Sequence, residues 1–178
     1  MRITALMPVK NGAVFLEKSI MAITSNCHEE DEILVVDDGS VDNSLSKLLL
    51  WANEDPRVRV ISNPNPGLVN ALNLGITESS HRYIARFDVD DDYENYRISK
   101  QRERLEEGIV AVFSDYDFKT PSGRHLGNIT SAVSASAVSI SLANSQRTAH
   151  PSVLFDKEAV IAVGGYREED FPAEDLSL

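Results

Sequence analysis

Four aspartates within five residues, Asp88-Val89-Asp90-Asp91-Asp92, and a pair at Asp37-Asp38 are the side chains best suited to do chemistry. Each cluster directly follows a strand-like segment, Ile33-Leu34-Val35-Val36 for the pair and Arg82 to Phe87 for the quartet. Carboxylates crowded at the end of a buried strand repel one another. Without a cation, hydrogen-bond donors or raised pKa values they cost stability. Hard oxygen donors of this kind suit Mg²⁺, Mn²⁺ or Ca²⁺ rather than zinc. For Asp37-Asp38 alone, a helix cap and turn explain the pair equally well. The quartet favours a ligand role, and its specificity comes from its place at a strand end rather than from the short Asp-Val-Asp pattern.

The elements that must position these residues alternate along the first half of the chain. Ile3 to Met7 reads as a strand, and after Asn11-Gly12 the residues Leu16, Ile20 and Ile23 share a helical face. Ile33 to Val36 is a continuous apolar run, as expected of a strand buried on both faces. Ser40 or Asp42 is placed to cap the next helix, with Leu45, Leu48, Leu49 and Ala52 inward. Arg57 to Ile61 predicts a third strand, broken from the next helix by Pro64, Pro66 and Gly67. That helix turns Leu68, Ala71, Leu72 and Gly75 inward, with a small residue where close packing is needed. Arg82 to Phe87 predicts a fourth strand, Ile98 to Glu107 a charged exposed helix, and Ile109 to Phe113 a fifth strand. This βαβαβαβαβ succession predicts an α/β sheet with crossover helices. Ligands of such sheets bind beyond the carboxyl ends of the strands, where both acidic clusters fall.

The second half is less regular. Pro121-Ser122-Gly123 predicts a hairpin turn, residues 131–145 a helix of small residues or else a mobile loop, Ser152 to Phe155 a strand, and Gly164-Gly165 a turn. The chain stops three residues after Asp175, which reads as the opening of a helix without its remainder.

Length and charge set the outer bounds. The 178 residues suit a single domain that needs no staple to fold. A formal charge of −11 sets the surface against nucleic-acid phosphates and anionic lipid. The single cysteine, Cys27, excludes an internal disulfide. No apolar run approaches the ~20 residues of a membrane helix. The expected location is the cytoplasm.

Six motifs occur in order: Met7-Pro8-Val9-Lys10-Asn11-Gly12, Val35-Val36-Asp37-Asp38-Gly39-Ser40-Val41-Asp42-Asn43-Ser44, Asp88-Val89-Asp90-Asp91, His150-Pro151-Ser152-Val153, Gly164-Gly165-Tyr166-Arg167 and Glu174-Asp175. The series resembles the family 2 glycosyltransferases, inverting enzymes of the GT-A fold, a Rossmann-like α/β architecture of nucleotide-diphospho-sugar transferases with a mainly parallel sheet. The resemblance implies one domain over 1–178, with 1–115 as the nucleotide-sugar-binding half and 116–178 as an incomplete start of the acceptor-binding half. It assigns Pro8, Asn11, Asp37 and Asp38 to the nucleoside. It assigns Asp88, Asp90 and Asp91 to the diphosphate and donor sugar, with Asp90 and then Asp88 as ligands of a divalent cation, Mn²⁺ or Mg²⁺. Asp175 becomes the catalytic base, with Glu174 and Tyr166 on the acceptor side. The implied partners are a nucleotide sugar, UDP-linked by preference, and a saccharide or lipid-linked acceptor, in surface polysaccharide or glycolipid assembly, with peripheral contact at the inner face of the membrane left open. Two departures stand out. Lys10 occupies a position often aromatic in the family, and Leu72 one often held by arginine.

Other residues have plainer readings. Trp51 is expected to pack, the Arg97-to-Arg104 stretch to form a solvated helix face, His150 to be a structural hydrogen-bonding residue, and Cys27 to have no catalytic role. Two alternatives remain beside the transferase. One is a phosphoacceptor receiver-like regulatory domain with Asp88 as acceptor. The other is a nucleotide-sugar-binding fragment without turnover. A dinucleotide-binding domain is disfavoured because the loop after the first strand lacks Gly-x-Gly-x-x-Gly.

Overall fold

The computed structural model describes residues 1–120, 122–130 and 150–168. The predicted helix over 131–145 and the residues Glu174 and Asp175 lie outside the described residues.

Four strands alternate with helices: β1 (Ile3–Val9), α1 (Leu16–Asn26), β2 (Glu32–Asp37), α2 (Ser44–Glu54), β3 (Val58–Ser62), α3 (Leu68–Glu78) and β4 (Tyr83–Arg86). A short α4 (Arg97–Arg102) leads to β5 (Ala111–Val112) and to a hairpin of β6 (Tyr116–Lys119) and β7 (His125–Ile129). A 3₁₀ turn at His150–Ser152 precedes β8 (Leu154–Asp156) and α5 (Lys157–Ala162). The main sheet has the order β3-β2-β1-β4-β8-β5. The first four strands are parallel, and β8 runs antiparallel to both β4 and β5. The fold is thus α/β with a mainly parallel sheet, as the alternation predicts.

The central strands β1 and β2 are buried along their whole length because both faces are covered. On one face Ile3, Ala5, Met7, Val9, Ile33 and Val35 pack with Leu16 and Ile23 of α1, Leu48 and Trp51 of α2, and Ile98 of α4. On the other, Leu6, Leu34, Val36 and Ile84 pack with Val69, Leu72 and Ile76 of α3 and Val160 of α5. Gly75 is the small residue that α3 needs: a Cβ there would lie 2.3 Å from Leu6 Cδ1.

Three expectations change in detail. The inward face of α2 is Ser44, Leu48 and Trp51, while Leu49 is half exposed. Trp51 packs into the core as expected. Asn43 rather than Ser40 or Asp42 holds the N-cap position of α2, although Asp42 Oδ1 still accepts from the Ser44 N–H at 2.9 Å. The predicted charged helix ends at Arg102 and is not a solvated face, for it buries Arg97, Ile98 and Gln101. The Arg97 guanidinium stacks 4.0 Å from the Phe87 ring and 4.8 Å from Tyr93, and it donates to the carbonyls of Arg86 and Pro151. An arginine can be buried where aromatic faces and carbonyls replace water.

Candidate functional site

The strand order reverses its direction of growth at β1, which has β2 on one side and β4 on the other. Such a switch point opens a crevice beyond the carboxyl ends of the strands. Both acidic clusters stand at its rim, after β2 and after β4. The two sides touch through Gly12, where a Cβ would lie 3.0 Å from both methyl carbons of Val89.

The β1 and β2 loops brace each other. Asn11 adopts φ +53, a left-handed conformation that asparagine tolerates. Its N–H donates to Ser40 Oγ at 3.0 Å, and its Oδ1 accepts from the Val41 N–H at 2.9 Å. Ala13 N–H donates to Asp42 Oδ2 at 3.1 Å. Pro8 is buried opposite Val36 of β2, past the last β1–β4 pair at Leu6 and Arg86, so the ring costs that ladder no bond.

The two aspartates of the β2 end differ sharply. Asp38 is fully engaged: Oδ1 accepts from Asn63 Nδ2 at 2.7 Å and from the Gly67 N–H at 2.8 Å, and Oδ2 pairs with Lys10 Nζ at 3.0 Å. Burial alone would raise its pKa, but Gly67, Lys10 and Asn63 hold the carboxyl below its ordinary value. Asp37 is 3% exposed; Oδ2 has only a 3.4 Å contact from the Ser40 N–H, and Oδ1 has no hydrogen-bond partner. A buried acceptor left open is uncommon. Sequence reasoning treated the pair alike and missed Asn63, which sits beside the Pro64–Gly67 break and looks there like a turn residue.

The β4 end carries the second cluster. Arg86 is buried and grips Asp88, with Nε 3.0 Å from Oδ1 and an Nη 3.2 Å from Oδ2. The Asp88 N–H donates to the Tyr93 hydroxyl at 2.6 Å. Lys18 pairs with Asp92. Asp90 and Asp91 stand on the surface of the loop. Local desolvation, then the charges of Asp88 and Asp90, push the Asp91 carboxyl up to about 6. Solvent contact tempers that shift but does not reverse its sign.

Among the described residues, no three carboxylate, histidine or cysteine side chains converge on a ready-made metal cage. The donor set still fits a hard divalent cation. It is all oxygen, and such cations commonly take one or two carboxylates and complete their shell with substrate phosphates and water.

Past α5, Gly164 and Gly165 turn the chain with φ of +98 and +70. Tyr166 then enters the core, 3% exposed, with Leu72 and Val160 in the same cluster. Its ring is therefore not presented to an acceptor, in contrast to the sequence expectation; after a double-glycine turn the aromatic faces the sheet. Leu72 is likewise core, 1% exposed.

Among the described residues, one concavity lies at the opposite end of the sheet and another beside α3. A groove of about 450 Å³ lined by Asp31, Glu32, Arg57 and Arg59 lies at the amino ends of the strands. There Glu32 is already bonded to Thr4, Arg59 and Ser80. A hollow of about 300 Å³ lined by Gly67, Leu68, Val69 and Glu168 adjoins the Asp38 end of α3.

The architecture is matched by solved glycosyltransferases of the GT-A fold. The mannosyltransferase PcManGT from Pyrobaculum calidifontis, solved with GDP-Man and Mn²⁺, superposes with a TM-score of 0.72 at 19% identity over 98% of this chain and 49% of that one. S. aureus TarS 1-349 in complex with UDP-GlcNAc gives 0.72 at 16% identity over 99% of this chain and 51% of that one. The family model described as glycosyl transferase family 2 matches residues 4–159, and the chain belongs to that family. An uncharacterized glycosyltransferase of Haemophilus influenzae is 37% identical over 125 residues, 70% of this chain and 36% of that protein. One from Rickettsia bellii is 30% identical over 131 residues, 73% of this chain and 19% of its own length. The chain thus spans between about a fifth and about half of the length of such relatives. Family membership sets aside the receiver-domain alternative.

Proposed function

We propose that this chain forms the donor-binding part of an inverting glycosyltransferase that moves a sugar from a nucleoside-diphosphate donor, UDP-linked by preference, to an acceptor hydroxyl. The carrying observation is the pairing of two different acidic ends across the switch point: a buried open acceptor at Asp37 and exposed carboxylates at Asp90 and Asp91 in the Asp88–Asp92 loop. Asp37 Oδ1 accepts a base N–H, while Asp38, held by Lys10, Asn63 and Gly67, fixes the loop that presents it. Pro8 and Asn11 shape the other wall. Asp90, with Asp88, would hold a divalent cation, Mn²⁺ or Mg²⁺, whose charge when bound neutralises the departing diphosphate. A neighbour solved with GDP-Man and Mn²⁺ supports that choice of ligand class.

On the acceptor side, Asp175 takes the proton of the attacking hydroxyl as the bond to the anomeric carbon forms, with Glu174 beside it. A single displacement of this kind inverts the anomeric centre through a transition state of oxocarbenium character, and its in-line geometry sets the base on the face of the sugar opposite the departing diphosphate. The acceptor is a saccharide or lipid-linked saccharide in surface polysaccharide or glycolipid assembly. The setting is the cytoplasm, in peripheral contact with the inner face of the membrane. Among the described residues no helix is long and apolar enough to cross one.

Calorimetric titration of UDP with Mn²⁺ and then with EDTA, with GDP and ADP as controls, tests the reading. Metal-dependent binding selective for UDP is the expected result. Selective GDP binding would change the donor, and no binding of any nucleotide by the full-length protein would overturn the proposal.

A further inference from the structure

Helix α1 buries Leu16, Ser19, Ile23 and Asn26. They recur at alternating steps of three and four, the spacing of one helical face. Leu16 and Ile23 belong to the apolar cluster against the sheet. Ser19 and Asn26 interrupt that face with polar groups, 2% and 4% exposed. A polar group in such a place costs stability unless it is hydrogen-bonded, and an apolar residue would pack there without that demand. Both side chains bond to the same partner, the loop that carries the acidic quartet from β4 to α4.

Ser19 holds the start of that loop. Its hydroxyl donates to the Val89 carbonyl and lies 3.0 Å from the Phe15 carbonyl on α1 itself. Val89 and Asp90 form the corner of a turn, closed by the Asp91 N–H on the Asp88 carbonyl at 3.4 Å. The Val89 carbonyl oxygen lies in the rigid plane of the peptide that joins Val89 to Asp90. Holding that oxygen therefore fixes the place of the Asp90 Cα. The Val89 side chain is held as well, against Gly12. Asn26 holds the end of the loop. Its Nδ2 donates to the Ala22 carbonyl at 2.9 Å and to the Glu94 carbonyl at 3.0 Å, and its Oδ1 accepts from the Ile98 N–H of α4 at 3.2 Å. Between these points Lys18 pairs with Asp92, and Ser25 Oγ donates to Asn95 Oδ1 at 3.0 Å. α1 itself grows out of the β1 loop, in which Asn11 braces the β2 end. One helix thus ties the two acidic ends of the crevice together.

We propose that Ser19, with Asn26, is a positioning residue for the cation-bearing turn: it sets the Val89–Asp90 peptide, so that Asp90 meets a divalent cation at a fixed place relative to the nucleoside end of the crevice. This rests on the glycosyl-transfer reading above. Among the described residues, neither side chain bonds to Pro8, Asn11, Asp37 or Asp38. The loss of either therefore weakens the cation's contribution and leaves metal-free nucleotide binding as it was.

Ser19→Ala in the full-length protein tests this. It removes the hydroxyl and leaves a better helix former in its place. Amide exchange over 89–92 should quicken by about tenfold, the scale of one lost hydrogen bond. The gain in UDP affinity that Mn²⁺ confers, read by calorimetry in Mn²⁺ and in EDTA, should shrink by about tenfold. UDP affinity in EDTA should match the wild type. Asn26→Asp keeps the size and the acceptor for Ile98 but removes the donor to the Glu94 carbonyl. It should show the same split between Mn²⁺ and EDTA, and it carries the test if Ser19→Ala does not fold. A wild-type Mn²⁺ gain in a variant with quickened exchange would overturn the proposal. So would unchanged exchange over 89–92 in Ser19→Ala, or UDP affinity in EDTA falling in step with that in Mn²⁺, which marks general damage. If the unsubstituted protein binds UDP equally in Mn²⁺ and in EDTA, the positioning role fails while the donor reading stands. If it binds no nucleoside diphosphate in either condition, it is the glycosyl-transfer reading that fails, and the positioning role falls with it.

Discussion

Arg86 Nε lies 3.0 Å from Asp88 Oδ1, and the pair is nearly sealed from water on the arginine side, with the Arg86 side chain 3% exposed and Asp88 25% exposed. A carboxylate held this way differs from Asp90, which stands free on the loop surface. The two members of the Asp-Val-Asp unit therefore have separable parts. Asp88→Asn weakens a charge-assisted fork to a buried cation and should lower stability by about 1–3 kcal/mol, read by chemical denaturation. Asp90→Ala should leave stability unchanged and remove metal-dependent nucleotide binding, read by calorimetry. Undiminished metal-dependent binding in Asp90→Ala would remove it as a ligand.

Asp38 gives a pH dependence with a definite sign. Its native pKa is held below the unfolded value of about 3.9. A carboxylate lowered in the native state adds stability that is fully present above the unfolded pKa and is lost as pH falls through the native one. Wild-type protein should therefore lose more stability on acidification below about pH 4 than Asp38→Asn does. Unfolding midpoints measured from neutral to acid pH should converge for the two proteins. Parallel curves would mean that the Lys10, Asn63 and Gly67 bonds do not depend on ionisation.

Gly75 tests the packing of α3. Alanine is the better helix former by about 1 kcal/mol. At this position its Cβ would lie 2.3 Å from Leu6 Cδ1 and 2.9 Å from Cδ2, and Leu6 is itself buried. Overpacking of this kind costs about 1–3 kcal/mol, so Gly75→Ala should destabilise despite its propensity. A rise in the unfolding midpoint would show that Leu6 can yield.

The proposed base separates from the donor site in the same way. Asp175→Asn in the full-length protein should bind UDP and Mn²⁺ as the wild type does and lose sugar transfer. A wild-type transfer rate would assign the proton to another group.

The parallel half of the fold was legible because its central strands are continuous apolar runs and its helices carry a 3.6-residue stripe. Ile33–Val36 and Leu16–Ile20–Ile23 can be read directly from type and spacing. The placement of β8 between β4 and β5 was not legible, since a three-residue antiparallel insertion leaves no local pattern. Both acidic clusters were found because charge at a strand end is conspicuous. Their internal differences were not, because Asp38 is tied by Asn63 and Gly67, 25 and 29 residues away, and Asp88 by Arg86, an arginine whose type alone fits a phosphate as well as a carboxylate. Arg97 misled for a related reason: alternating charge reads as a wet helix until the aromatic faces of Phe87 and Tyr93 are brought against it.

Tyr93 is the residue whose role depends most on that arrangement. Its hydroxyl takes the Asp88 N–H at 2.6 Å, while its ring meets Phe87 edge-on with centroids 4.6 Å apart and faces the Arg97 guanidinium. The start of the acidic loop is thus held by one hydroxyl on a post of stacked side chains. Tyr93→Phe keeps the post and removes the hydroxyl, leaving the half-buried Asp88 N–H without that acceptor at a cost of about 1–3 kcal/mol. Because the loss falls at the loop that carries Asp90, Mn²⁺-dependent UDP affinity should weaken more than metal-free UDP affinity. Calorimetry in Mn²⁺ and in EDTA gives both. Equal weakening in the two conditions would mean that Tyr93 supports the nucleoside side of the crevice and not the cation loop.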